Sequence, residues 1–192
     1  MTTSERLLDA AEARMRKVGY NAVSFRELAD DVSIKSSSVH YHFPAKQDLG
    51  VALIERYAKR VFDMLEERSR DAKTPAEQLR AYGSVYRACL VEDGSVCLGG
   101  LLAAEMAGLP LDVQTAVRRF FEANIDWIEN VLPNNHPPRV KRARAGSFVA
   151  AHQGAIMVAL GLRDFAIFDG ITENLITCVL SKPTTATGSK KR

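Results

Sequence analysis

Val32-Ser-Ile-Lys-Ser-Ser-Ser-Val-His-Tyr-His-Phe-Pro-Ala-Lys-Gln47 is the stretch on which the reading of this 192-residue chain turns. It contains no acidic residue, although Glu27, Asp30 and Asp31 stand just before it. Serine hydroxyls, imidazoles and ammonium groups are suited to phosphate oxygens and base edges. Pro44 ends any helix running through the serines, because the residue before a proline avoids the helical region. The stretch therefore predicts one short helix, opened at Ser36 or Ser37, that presents a polar, acid-free face.

Outward from it the pattern is helical on both sides. Leu7, Leu8, Ala11, Met15 and Val18 recur at three- and four-residue steps and predict a first helix capped by Ser4 and ended by Gly19. Ser24 caps a second, Phe25 to Val32, with Leu28, Ala29 and Val32 facing inward. Two short helices around the turn Ser33-Ile34-Lys35 make a helix-turn-helix shape. Ala29 is small where the helices must approach, and Ile34 and Val39 can seal the inner angle. Ser33 falls where the turn favours a positive φ, so some strain is expected there. Phe43 reads as a core plug beneath the third helix. Tyr41 can either pack its ring or extend its hydroxyl.

Downstream, Leu49, Leu53, Tyr57, Val61 and Leu65 stripe a long helix from Ala45 to about Arg70. Thr74-Pro75 opens the next, running to about Glu92. A short helix is expected from Val96 to Ala107, a strongly periodic one from Asp112 to Leu132, and apolar ones over 140–162 and 171–180. Pro133 to Pro138 is the clearest loop. The prediction is an all-α fold of about nine helices: a helix-turn-helix head over 1–46, a ligand-binding and dimerisation bundle over 47–181, and a disordered basic tail over 182–192 ending in Lys190-Lys191-Arg192.

Bulk properties bound the function. The net charge of +3 cannot argue for nucleic acid, and residues 1–50 carry seven Lys/Arg against seven Asp/Glu, so any such reading rests on local arrangement. The N-terminus lacks the apolar core of a secretion signal, and no apolar run is expected to reach the roughly 18 residues of a membrane span, so a cytoplasmic chain without a membrane partner is expected. Cys89, Cys97 and Cys178 are an odd number without metal-type spacing; no disulfide framework, metal or cofactor is expected. No GxSxG, HExxH or glycine-rich phosphate loop supports an enzyme. A helical binding or scaffold protein that ignores DNA is the other alternative.

The segment VSFRELADDVSIKSSSVHYHFPAKQDLGVALIERY resembles the DNA-binding head of the TetR family of transcriptional regulators, over roughly residues 5–57, with HYHFPAKQDL its most specific piece. The resemblance implies a homodimer on a palindromic double-stranded operator, usually a repressor, released when a small-molecule effector changes the spacing of the heads. By the family's pattern, Ser36, Ser37, Ser38 and His40 face the major groove. Tyr41, His42 and Lys46 touch phosphates, and Ser24 and Arg26 match further contact positions. Two departures stand out: Ser33 replaces the usual turn glycine, and the lysine often found at Ser36 is here Lys35.

The segment CLGGLLAAEMAGLP resembles a branch of the family in which some members sense electrophiles or oxidants through a cysteine. If Gly94-Ser95 caps the helix, Cys97 lies in its first turn, where the dipole favours a thiolate. Gly99 and Gly100 would leave room beside the sulfur, and Cys89 is a conceivable resolving partner. A buried packing role is the plainer reading for Cys97, and for Cys178 in the last helix. Tyr82, Tyr86, Phe120 and Trp127 are candidates to line an effector pocket. The dimer is expected on the last two helices, with Phe148, Ala151, His152, Ala155, Ile156, Ile171 and Leu175 as candidate contacts and His152 a packed, hydrogen-bonded histidine at the seam. Arg139, Lys141, Arg142 and Arg144 read as a solvated cluster pairing with nearby carboxylates.

Overall fold

The computed structural model describes residues 1–92, 94–135 and 137–181; the expected tail over 182–192 lies outside them. Among the described residues there are nine α-helices and no strand: α1 Thr3–Val18, α2 Phe25–Asp31, α3 Ser36–His42, α4 Lys46–Ser69, α5 Pro75–Glu92, α6 Leu98–Ala104, α7 Leu111–Val131, α8 Pro138–Leu162 and α9 Phe165–Leu180, with a 3₁₀ turn at Met106–Gly108. The all-α expectation holds.

Local chemistry sets the helix ends. Thr2, not Ser4, caps α1, accepting from the Glu5 amide at 3.2 Å while the Glu5 carboxylate accepts from the Thr2 amide. α2 is capped by Ser24 and ends in a Schellman motif: the Ser33 amide donates to Asp30 O (3.2 Å) and the Ile34 amide to Ala29 O (2.9 Å). That motif requires the left-handed φ of +56° at Ser33, as the sequence predicted. Two helices depart from prediction. α6 is shorter because Cys97 is extended (φ −53°, ψ 127°) and is itself the N-cap residue, with the remainder of the segment wound into the 3₁₀ turn. α9 begins six residues earlier than expected, because Asp164 caps it by accepting from the Ala166 amide at 3.0 Å.

The predicted α4 stripe is the spine of the molecule, with Leu49, Leu53, Tyr57, Val61 and Leu65 all buried. It packs on α1 in the head and on α5 and α7 in the bundle; α8 and α9 form an antiparallel pair closing the far side against α5 and α7. Among the described helices, α8 is long and apolar enough to cross a membrane by length and composition, with mean hydropathy 1.4 over 18 residues. This corrects the expectation of no such segment: residues 145–162 carry no charge at all. Its inner face, including Phe148, Val149, His152 and Ile156, is buried against the bundle.

Candidate nucleic-acid interface and sensor core

The head is braced from within. Arg14 on α1 grips α2 through Glu27 (3.0 Å) and Asp31, and Arg6 donates to Val32 O at the end of α2. Val39 and Phe43 are buried beneath α3, and Ala29 is buried where α2 meets it. A rigid two-helix unit therefore turns the remaining α3 side chains outward. Ser36, Ser37, His40 and Tyr41 are exposed, as are Lys35 and Arg26; Ser38 and His42 are half-buried. Tyr41 settles the open choice: it is 84% exposed, with its ring edge against His42 at 5.2 Å. His40 packs on Phe25 (4.9 Å), and its Nδ1 lies 3.3 Å from Pro44 O. A carbonyl only accepts, so Nδ1 carries the proton and Nε2 is left as an outward acceptor.

Two predicted contact residues are engaged inside the protein. The Ser24 hydroxyl donates to Glu27 Oε2 (2.7 Å) and accepts from the Glu27 amide (3.3 Å), so it works as a cap. The Lys46 ammonium donates to Asn21 O (2.9 Å) and sits 4.8 Å above the Tyr20 ring, half-buried, its ionisation pushed down by that burial. It ties the start of α4 to the α1–α2 loop.

The predicted effector residues do come together. The Tyr82 and Tyr86 hydroxyls both donate to Asn124 Oδ1 (3.0 and 2.7 Å), and Asn124 Nδ2 donates to Phe120 O (2.7 Å). Trp127 stacks on Tyr82 (5.8 Å), and Phe120 lies against Tyr57 (5.6 Å). Burial raises the pKa of both Tyr82 and Tyr86 and keeps their hydroxyls protonated, with Cys97 adding to the effect from nearby. Asn124 and Tyr57 are therefore central here, although the sequence reading assigned no role to Asn124 and only a core role to Tyr57. A polar asparagine on the inner stripe of α7 was the available signal. The space expected beside Cys97 is filled: a Cβ on Gly99 would overlap the Phe120 ring, and one on Gly100 would meet Gln153 Oε1 at 2.6 Å.

The head and this core are joined by α6. Arg16 on α1 donates to Ser95 Oγ (3.0 Å) and to Val96 O, beside Cys97. At the other end of α6, Glu105 accepts from the Tyr20 amide at 2.9 Å. Arg16, Arg56 and Arg60 converge on Glu12 (2.8, 3.4 and 2.6 Å). Burial alone would raise the Glu12 carboxyl, but the bonds from Arg60 and Arg16 outweigh it and hold it ionised.

The α8–α9 candidates divide. Phe148, His152, Ala155 and Ile156 are already buried within the protomer, which corrects their assignment to a seam; Ala151, Ile171 and Leu175 are half-exposed. His152 is hydrogen-bonded as expected, but to its own chain: Nδ1 lies 3.2 Å from Phe148 O and Nε2 3.3 Å from Thr172 Oγ1. Cys178, expected to pack, is exposed. The basic cluster behaves as a solvated one, with Arg142 paired to Asp126 (2.7 Å) and Glu129 (3.0 Å).

Comparison with known proteins agrees with this geometry. The family of bacterial regulatory proteins named tetR matches residues 7–53, from within α1 through the helix-turn-helix to the first part of α4. The transcriptional regulator AcuR of Cereibacter sphaeroides is 28% identical over 114 residues, 58% of this chain and only about half (52%) of that protein's length. A TetR transcriptional regulator from Legionella pneumophila is 30% identical with TM-score 0.85, covering 94% of this chain and 98% of that one. A TetR-family regulator from Agrobacterium tumefaciens is 28% identical with TM-score 0.82, covering 93% and 97%. A braced helix-turn-helix, a helical bundle behind it and a full-length relative at this identity lead to one conclusion: the chain belongs to the TetR family of bacterial transcriptional regulators.

Proposed function

We propose that the chain is a cytoplasmic repressor that binds a palindromic operator as a homodimer and is released by a small molecule or by modification of Cys97. The observation that carries the DNA part is the outward, acid-free face of α3 on a head braced from behind. In this reading, residues 1–46 are the head and 47–181 the regulatory and dimerisation unit. Ser36, Ser37, Ser38 and His40 read base edges, while Lys35, Arg26, Tyr41 and His42 hold phosphates. Lys46 acts chiefly by fixing α3 and α4 to the α1–α2 loop.

Two-fold symmetry supplies the palindrome. The outer face of α8 and α9 supports the dimer: Met157, Val158 and Leu162 are exposed there, and a Cβ at Gly154, Gly161 or Gly170 would meet nothing, so a second copy can approach closely. The Tyr82–Tyr86–Asn124 cluster, walled by Phe120 and Trp127, is the effector locus, and α6 and α4 are its two links to the head. An effector that prefers a bundle with α6 displaced shifts the population of head spacings.

Binding of the duplex upstream of the chain's own gene tests this. Lys35→Ala should weaken binding to all sequences and lower the log–log salt slope by about 0.9, the value of one phosphate contact. His40→Ala should instead alter base preference. Unchanged binding in both variants defeats the contact assignment, and a sedimentation mass of one protomer at assay concentration defeats the dimer.

A further inference from the structure

α3 ends where Phe43 turns extended (φ −135°, ψ 97°), and Pro44, which has no amide hydrogen, cannot resume it. The Pro44 carbonyl lies outside both helical ladders, and the exposed His40 reaches it: Nδ1 is 3.3 Å from Pro44 O. The ring also stands edge-on to Phe25, the first residue of α2 (4.9 Å, 67° between planes). Because a carbonyl only accepts, Nδ1 carries the proton and Nε2, on the same rigid ring, keeps its lone pair. Turning the ring over would set Cδ2 against the carbonyl and lose the bond. The exposed neighbours on α3 and in the turn before it differ in kind. The hydroxyls of Ser36, Ser37 and Tyr41 can each donate or accept by rotating, and Lys35 can only donate. His40 is held as an acceptor.

We propose that His40 reads an exocyclic amino group through Nε2, so that the strand it faces carries adenine or cytosine at that position and not guanine or thymine. This rests on the proposed operator reading, in which α3 lies in the major groove. There the four bases differ in the atom that matters: adenine N6 and cytosine N4 bear amino donors, whereas guanine O6 and thymine O4 are acceptors. Nε2 set against O6 or O4 brings two lone pairs face to face. A serine or tyrosine in that place would adapt by turning its hydroxyl. The imidazole cannot, because the Phe25 ring and the Pro44 carbonyl hold it. Phe25 and Pro44 are therefore positioning residues, which act on the base pair through His40 without touching DNA. Two-fold symmetry repeats the same choice in each half-site.

The test incubates the full chain with a duplex pool of randomised, two-fold symmetric half-sites at pH 8, where a free imidazole is neutral, and sequences the bound fraction. The position read by His40 is the one at which the parent and His40→Ala differ. There the parent should favour A or C over G or T by at least about fivefold, the low end of the cost of one wrong base pair, and His40→Ala should be flat. His40→Arg, which can only donate, should reverse the preference to guanine. Phe25→Leu should cut the A or C preference by about twofold or more, the value of the lost ring contact. A merely structural defect in that variant would weaken all sequences together and leave this ratio unmoved. A parent preference for G or T there, no position that distinguishes His40→Ala, or an A or C preference that persists in His40→Arg overturns the inference and leaves the repressor reading standing. An undiminished preference in Phe25→Leu overturns the positioning role. Failure to bind any member of the pool overturns the repressor reading and this inference with it.

Discussion

Lowering the pH from 8 to 5 should destabilise this protein through a single buried imidazole. His152 is fully buried among the Tyr82, Phe148 and Phe168 rings (5.4, 4.5 and 5.7 Å). Its Nδ1–H donates to Phe148 O, which leaves Nε2 to accept from the Thr172 hydroxyl, so both nitrogens are satisfied in the neutral form. Burial lowers its pKa from 6.5 to about 4, opposed only weakly by the Phe148 carbonyl. The unfolded chain therefore takes up a proton that the folded chain refuses. Stability is complete above about pH 6.5 and declines as the pH falls toward 4. At pH 5 the difference is roughly 2 kcal/mol by linkage, or a Tm lower by about 4–8 °C for a chain of this size. The depressed carboxylates, Glu12 and Glu173 among them, lose their contribution mainly below pH 4.5, so the window isolates the histidine. Thermal unfolding at pH 8, 6 and 5, at fixed protein concentration, measures it. His152→Gln keeps a donor and an acceptor but cannot titrate, and its Tm should be flat across the window. A variant with the same pH dependence as the parent would refute the assignment.

Two further substitutions probe the framework. Ser33→Gly relieves the left-handed φ of +56° at the end of α2 and should stabilise the protein by about 0.5–1 kcal/mol, read as a higher urea midpoint with unchanged slope. Gly99→Ala drives a methyl into the Phe120 ring; despite the gain in helix propensity it should cost about 1–3 kcal/mol by the same assay, and a stabilised variant would show that the ring has room to move.

The head was legible because its determinants are local. The Ser24–Glu27 capping box spans four residues, the Schellman turn six, and Phe43 is one turn from the α3 residues it supports. The bundle was legible in outline only. Asn124 is joined to tyrosines 38 and 42 residues away, and Glu105 to an amide 85 residues away, distances over which periodicity carries no information. α9 misled for another reason: it is apolar around much of its circumference, so the pattern does not say which stripe meets the protomer, and Cys178 falls on the outer one. Residues of α8 expected at a dimer seam pack within the same chain instead: His152 lies against Phe168 and Thr172 of α9, separated from it by 16 and 20 residues, which is why it lies inside.

The bonds that span α6 and the head set a scale for regulation. Arg16 to Ser95 and Val96, Glu105 to the Tyr20 amide, and Asn21 to Gly108 O (3.4 Å) are few and partly exposed. At about 1 kcal/mol net for each intramolecular hydrogen bond, they total roughly 3–4 kcal/mol. That sum is what an effector must offset to break these bonds. It is also large enough that an effector able to break all of them would shift a head equilibrium by two to three orders of magnitude, since about 1.4 kcal/mol is tenfold. Gly19 makes the coupling specific: its φ of +80° brings the α1 terminus against the Glu105 carboxylate, where any Cβ would collide. The head is thus held to α6 by a contact that admits one residue at its centre, and α4 alone need not carry the signal.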